Sequence, residues 1–353
     1  MTQSAALETE VSLEPRTCIQ VNGLTKVYHK PKQRGLRLSR EPEHGTDFVA
    51  VDQVSFEVRP GEIFVIMGLS GSGKSTIIRM LNRLVDITDG TVVVNGKDVG
   101  SLSTVELREY RNSTVNMVFQ HFGLFPHKSL IENVAFGLKV RGVDEAQRLE
   151  RAAENLRIVG LGDRLYALPE QLSGGQQQRV GLARALATDA EILLMDEPFS
   201  ALDPLIRKDM QELLVQLQRD LQKTIIFVTH DLNEAMHLGD QVMVMNHGRM
   251  AQLARPIDLL ENPADEYIRE FTAEVDRSRV VTAGMLALPA PIAPKTQVVQ
   301  VEPEMKLHNV LPLFADGADI VEVHCPQTQT GLGTITLQRA LDALKPKGAE
   351  REF

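Results

Sequence analysis

No run of this sequence stays apolar for the roughly 18–20 residues that a helix needs to cross a bilayer. A membrane-spanning chain is therefore not expected, and any role at a membrane has to come through a partner. The opening MTQSAALETEVSLEP lacks the basic start and apolar middle of a secretory signal, so the expectation is a protein that stays where it is made. Basic charge is also short: 38 Lys and Arg stand against 47 Asp and Glu, a formal net of −9. Neutralising nucleic-acid phosphates takes an excess of cations, which argues against a general nucleic-acid binder. Cysteine is limited to Cys18 and Cys325, far apart and without metal-ligand spacing. Such usage reads as two reduced thiols in a cytosolic protein. No internal repeat of solenoid period is present.

What is there points to an enzyme-sized chain. Its 353 residues exceed the need of one compact domain, and 43% hydrophobic residues supply a sizeable core. Residues 1–16 read as a flexible tail. CIQVNGLTKVY, from Cys18 to Tyr28, alternates as a strand does. The insertion 29–47 breaks that pattern; from Lys26 to Gly45 there are six basic and two acidic side chains. Two readings of it stand, a solvated surface loop and a contact with anionic lipid headgroups. Strands follow at VAVDQVSFEV and EIFVIM, then at TVVVN and VNMVF, and all-apolar or nearly all-apolar strands at EILLM, TIIFVT and QVMVMN. Helical patterns separate the strands, dominate from Ser129 to Ala187, and imply a parallel sheet covered on both faces.

Chemistry concentrates in a few tracts. Gly68-Leu69-Ser70-Gly71-Ser72-Gly73-Lys74-Ser75, with Thr76 after it, satisfies G-x-x-x-x-G-K-[ST] between a strand and a helix. Its glycines let successive N–H groups face phosphates, and the helix start adds its positive end. Lys74 is placed to reach the β- and γ-phosphates of ATP, and the Ser75 hydroxyl to bind Mg²⁺. The apolar strand before Asp196-Glu197 ends in two carboxylates. Asp196 suits Mg²⁺, held through a water, and Glu197 suits the polarisation of an attacking water.

LSGGQQQR, containing Ser173, Gly174, Gly175 and Gln176, resembles the signature of ABC ATPases. A hydroxyl and exposed glycine amides at a helix start make a second anion-binding surface. The resemblance implies an α/β P-loop NTPase fold of the RecA-like kind, an ABC nucleotide-binding domain with an antiparallel β-subdomain and an α-helical subdomain at about 121–187. It implies a homodimer in which the Ser173 loop serves the partner's ATP. By the same resemblance Gln120 senses Mg²⁺ and the nucleophilic water, Asp203 lies in a loop crossing the dimer interface, and His230 contacts the γ-phosphate. Tyr28 matches the aromatic that stacks on adenine; pairing with Val27 inside a strand core is the competing reading.

The likeness covers about residues 18–280, within an ATPase domain at 17–275. The tracts GEIFVIMGLSGSGKSTIIRMLNRL, MDEPFSALDPLIRKDMQ, THDLNEAM and ENPADEYIREFTAEVDRSRVVTA are similar to the subfamily that energises uptake of glycine betaine, proline betaine and choline. This implies a transmembrane permease partner, reached through Gln120–Pro126, an extracytoplasmic substrate-binding protein, and a peripheral location on the cytoplasmic face of the inner membrane. Another small solute, an amino acid or polyamine, and a soluble ABC ATPase outside transport are the alternatives. After the Pro-rich LALPAPIAPKT, the tail 276–353 is expected to pair strands with helices. One partial module of the cystathionine-β-synthase type fits Val298–Leu344, with a second missing or reduced to a fragment near Val280–Leu286. The open readings of this tail are regulatory binding, ionic-strength sensing, or simple packing.

Overall fold

The computed structural model describes residues 17–29, 47–120, 123–289, 297–326 and 330–345. The N-terminal tail 1–16, nearly all of the insertion 29–47, residues 121–122 and the Pro-rich 290–296 lie outside the described residues. The strands in chain order are β1 (Ile19–Tyr28), β2 (Phe48–Val58), β3 (Ile63–Gly68), β4 (Asp89–Val94), β5 (Lys97–Asp98), β6 (Val115–Val118), β7 (Ile192–Asp196), β8 (Thr224–Thr229), β9 (Gln241–Asn246), β10 (Arg249–Ala254), β11 (Val298–Val301), β12 (Ile320–Cys325) and β13 (Thr330–Ile335). The α-helices are α1 (Lys74–Leu81), α2 (Thr104–Glu109), α3 (Leu130–Val140), α4 (Glu145–Ile158), α5 (Gly174–Ala187), α6 (Pro204–Leu221), α7 (Leu232–Leu238), α8 (Pro256–Glu261), α9 (Glu266–Thr272), α10 (Ala283–Leu286), α11 (Leu307–Ala315) and α12 (Leu337–Asp342).

Alternation in β1 buries Ile19, Val21 and Leu24 and exposes Gln20 and Asn22. The strand pairs antiparallel with β2 and β4, giving the sheet β2-β1-β4-β5. The second sheet has the order β10-β9-β3-β8-β7-β6 and is parallel apart from the β10–β9 pair. Its strands β3, β7 and β8 are buried at every position, as a parallel sheet covered on both faces requires.

Strand periodicity divides the core in two. Phe64, Ile66, Leu194, Ile226, Val228 and Met245 face α1 and the antiparallel sheet. Val65, Met67, Leu193, Met195, Phe227 and Val244 face the cluster built with α3, α4, α5, α6 and α7. Phe56 of β2 stacks on Phe64 of β3 at 4.9 Å between ring centroids, which joins the two sheets. The outcome is that the loops after β3, β7 and β8 emerge together at the C-terminal edge of one sheet. Among the described residues no helix is long and apolar enough to cross a membrane.

The tail forms the sheet β11-β12-β13, its first pair parallel and its second antiparallel. Val301, Leu307, Val310, Val321, Val323 and Ile335 make its own cluster. The stretch read as a fragment of a second module joins this same cluster through Val281 and Ala283. The Ala283 N–H donates to the Met305 carbonyl and the Gly284 N–H to that of Pro303, both at 2.8 Å. Ile257 packs against the cluster of α3 to α7 and the tail cluster at once. Arg277 fastens the seam by donating to the carbonyls of Leu260 at 3.4 Å and Ala343 at 3.1 Å.

Phe64→Ala removes the ring that links the two sheets from a site with no solvent exposure. The expected loss is about 3–5 kcal/mol, read as a lower urea midpoint for unfolding of the two-sheet domain. A loss below about 1 kcal/mol would mean that the sheets are held together by other contacts.

Candidate functional site

The sheet delivers the chain to Gly68, and α1 starts at Lys74. The intervening loop has to reverse direction while wedged between neighbouring strands. Gly73 has φ of +102°, and a Cβ there would stand 2.5 Å from the Ala50 carbonyl oxygen. Only glycine fits such a backbone at such a distance. Gly71 also has positive φ, +80°, but nothing lies within 4 Å of its absent Cβ. Leu69, Ser70 and Gly71 form the exposed tip of the loop. Beneath it Lys74 is 4% exposed and donates to the carbonyls of Gly68 at 2.8 Å and Leu69 at 3.0 Å. Burial pushes the Lys74 pKa down, and the charges of Glu197 and Asp196 pull it back up. The Ser72 hydroxyl is buried with no hydrogen-bond partner. An oxygen left so is costly and suits a ligand seated in the loop.

Asp196 ends β7 at 4% exposure. It accepts from the Ser75 hydroxyl at 2.8 Å and from Arg79 at 3.2 Å. Arg79 is absent from the sequence-derived set, although its position one helical turn after Ser75 puts both on one face. Glu197 sits just past the strand with φ of +48°. A non-glycine residue in that region is strained, and here the Glu197 N–H is held by the Val228 carbonyl at 3.0 Å. Its carboxylate lies 3.1 Å from His230 Nδ1. Gln120, beyond β6, donates to the Ser200 hydroxyl at 3.2 Å, and Ser200 donates to the Glu197 carbonyl at 3.0 Å.

Lys74, Ser75, Asp196, Glu197, His230 and Gln120 are thus joined in one cluster. The Ser173 loop is not part of it. Among the described residues, no hydrogen bond links Ser173–Gln176 to the phosphate loop. Ser173 caps α5, accepting the Gln176 N–H at 3.4 Å while Gln176 Oε1 accepts the Ser173 N–H at 3.1 Å. Ser173 and Gly174 are exposed. Gly175 is buried, and a Cβ there would fall 2.2 Å from Ile206 Cγ2, so close packing of α5 on α6 also demands glycine. Asp203 is exposed and caps α6 by accepting the Ile206 N–H at 3.1 Å.

Tyr28 closes β1, paired with Phe48 of β2. It is 42% exposed rather than buried in a strand core, with Lys26 Nζ 5.2 Å from its ring centroid. Along the same β2 strand, Ala50 is the residue that touches Gly73, which sets Tyr28 at the rim on the phosphate-loop side. A further group, Arg207 with Glu234, has no counterpart in the sequence-derived set. Arg207 donates to the Leu202 carbonyl at 3.1 Å and to Asp231 at 3.2 Å. Glu234 accepts from Thr229 at 2.6 Å and from Gln211 at 3.1 Å, and burial raises its pKa. The loop before α6 and the loop carrying His230 therefore share one guanidinium.

Residues 51–200 match the family described as ABC transporter. The glycine betaine/carnitine transport ATP-binding protein GbuA of Listeria monocytogenes is 50% identical over 272 residues, which cover 75% of this chain and 68% of that one. The trimethylamine N-oxide transport system ATP-binding protein TmoW of Ruegeria pomeroyi is 45% identical over 294 residues, 83% of this chain and 85% of that one. A solved dimeric ATP-binding cassette in a post-hydrolysis state, bound to ADP and Pi, matches with a TM-score of 0.59 and 32% identity, covering 67% of this chain and 98% of that one.

The packing around the loop separates its glycines. Gly73→Ala is expected to lower thermal stability by about 2–3 kcal/mol more than Gly71→Ala, since only the first adds a backbone clash to the φ strain. Equal losses in calorimetry would show that the contact with Ala50 does not constrain the loop.

Proposed function

We propose that this chain, which belongs to the ATP-binding proteins of ABC transporters, is the ATP-hydrolysing subunit of an importer for a small solute bearing a methylated quaternary nitrogen, such as glycine betaine, proline betaine or choline. The observation that carries the ATPase reading is the convergence of Lys74, Ser75, Asp196, Glu197 and His230 at the C-terminal edge of one parallel sheet, where open α/β sheets bind their ligands. The cargo reading rests on relatives, GbuA among them. The likeness to TmoW over most of both chains favours trimethylamine N-oxide as a second cargo reading.

In this mechanism the loop Gly68–Thr76 and the start of α1 receive the ATP phosphates. Lys74 exchanges the Gly68 and Leu69 carbonyls for phosphate oxygens. Tyr28 stacks on the adenine. Ser75 and Asp196 form a pair of hard oxygen donors that fits Mg²⁺. Among the described residues, no group of three or more His, Cys, Asp or Glu could hold a metal, so most of the shell would be phosphate and water, the pattern this ion prefers. Bound there, Mg²⁺ would neutralise charge developing on the phosphates. Glu197 takes up a proton from the attacking water as general base. His230 and the Gln120–Ser200 pair fix the position of Glu197 from its side chain and its carbonyl.

The exposed Ser173 and Gly174, with Gly175 and Gln176 behind them, serve the ATP of a second copy. Dimeric relatives support this arrangement, and ATP then favours the closed dimer because only there does it touch both chains. Asp203 lies at that interface, and Arg207 ties its loop to His230. The segment Gln120–Pro126 passes the closure to a permease; Asn133 of α3 anchors it by accepting the Phe125 N–H at 2.7 Å. The chain works at the cytoplasmic face of the inner membrane, with an extracytoplasmic protein delivering the solute.

Glu197→Gln is expected to bind ATP, to lose about 100-fold or more of its turnover, and to accumulate as an ATP-bound dimer in size-exclusion chromatography. Unchanged turnover would remove Glu197 from the role of base. For the cargo, uptake of labelled glycine betaine, choline, proline and trimethylamine N-oxide by cells with and without this chain, at low and high osmolarity, should differ for at least one methylated amine. No difference for any of them would sink the cargo reading and leave the ATPase reading standing.

A further inference from the structure

Where the tail meets the motor, α6, α7 and α8 on one side and α10 and the start of α11 on the other enclose a cavity of about 290 Å³. Its charged lining is unbalanced. Arg219, Arg255 and Lys306 face it, against Asp240 alone; His237 also lines it, and burial holds its imidazole toward the neutral form. Asp240 is already engaged, accepting the Ile63 N–H at 2.8 Å. Arg255 is held at the rim by Asp258, at 2.7 and 3.2 Å.

Lys306 is the unusual member. It is half-buried at the N-cap of α11, and its ammonium donates to the Val280 carbonyl at 3.4 Å. Among the described residues no carboxylate lies within 4.0 Å of it. Burial alone draws its pKa below that of an ordinary lysine. A cation removed from water without a counter-charge is costly, and the cost disappears when an anion enters. Arginine forks match phosphate oxygens, and the first amides of α11 add to the positive potential on the tail side.

We propose that this seam cavity is a binding site for a small phosphate-bearing anion, gripped by Lys306 from the tail and by Arg219 from the motor. Its position gives it a consequence. The cavity receives Arg219 from α6, the helix that begins directly after Asp203, and His237 from α7, the helix that begins just beyond His230. An anion bridging the seam pins the tail to the far ends of the two helices whose near ends carry loops of the ATP site. The ligand and ATP then influence each other's affinity, equally in both directions.

The test is calorimetric titration of pyrophosphate into the full chain, with the phosphate loop filled by saturating ADP and Mg²⁺. One further saturable site is expected. Its affinity should fall about tenfold or more in Lys306→Gln and, independently, in Arg219→Gln, as loss of a charged hydrogen bond predicts, and should recover in Lys306→Arg. ADP affinity, unchanged in all three variants, controls for folding and is independent of the cargo. Absence of a second site once ADP is bound overturns the proposal. So does pyrophosphate binding that survives either neutral substitution, because the ligand would then not bridge the seam.

Discussion

The molecule is organised around a buried cation. Lys74 has almost no exposure, and an ammonium group in that position is stable only if its three donors and its charge are answered. Two carbonyls of its own loop answer the donors, and the nearby Asp196 and Glu197 answer the charge. Neither can do so unless β3 and β7 lie in one sheet with their C-terminal ends level, and the pairing of both with β8 achieves that. The parallel sheet, its doubly covered apolar strands and the tight glycine loop all serve this local requirement.

From that centre, constraint spreads outward by hydrogen bonds. Asp196 is oriented by Ser75 and Arg79 and has little freedom left. Glu197 is held in strained backbone, with His230 beside its carboxylate and Ser200 on its carbonyl. Strain at such a position is retained because the surrounding structure over-determines it. The Ser173 loop follows a different logic. Its serine is spent on capping α5 and its third residue on packing against Ile206, so within one chain it is rigid and exposed. A preformed helix start pointing into solvent suits a ligand brought by another copy. Arg207 links the loop before α6 to Asp231, next to His230, through the Leu202 carbonyl and the Asp231 carboxylate.

Much of this was legible in the sequence because apolar strands and phosphate loops have short-range signatures. TIIFVT and QVMVMN became β8 and β9 without change of boundary, since continuous burial on both faces leaves no other reading. The short β5 and the half-exposed β10 carry no such pattern, and both went unread. IVEVHC of β12 does alternate, and was overlooked beside the stronger helical patterns flanking it. The site residues found by motif are those whose neighbours in sequence define them. Arg79 shares a helix face with Ser75, but its partner Asp196 lies far along the chain, and Arg207 and Glu234 are tied to Asp231 and Gln211 on other elements; spacing alone does not announce such partners. Val280–Leu286 reads alone as a separate fragment because its partners Met305 and Pro303 lie beyond a Pro-rich break.

The same distinction explains why cargo is harder to read than chemistry. Every group at the ATP site recognises phosphate, water or its own chain, and none of them distinguishes one solute from another. Cargo identity therefore rests on overall likeness to relatives named for their solutes, whereas the reading of the ATP site rests on distances within the chain. The tail belongs to neither set. Among the described residues it contributes no atom to the ATP cluster, yet it meets α8, where Ile257 packs against its core and Arg277 bonds the Leu260 carbonyl. Burial raises the same demand for an anion at Lys74 and at Lys306; Asp196 and Glu197 answer it at the first, and among the described residues no carboxylate stands close enough to answer it at the second, which is what the proposed seam site rests on.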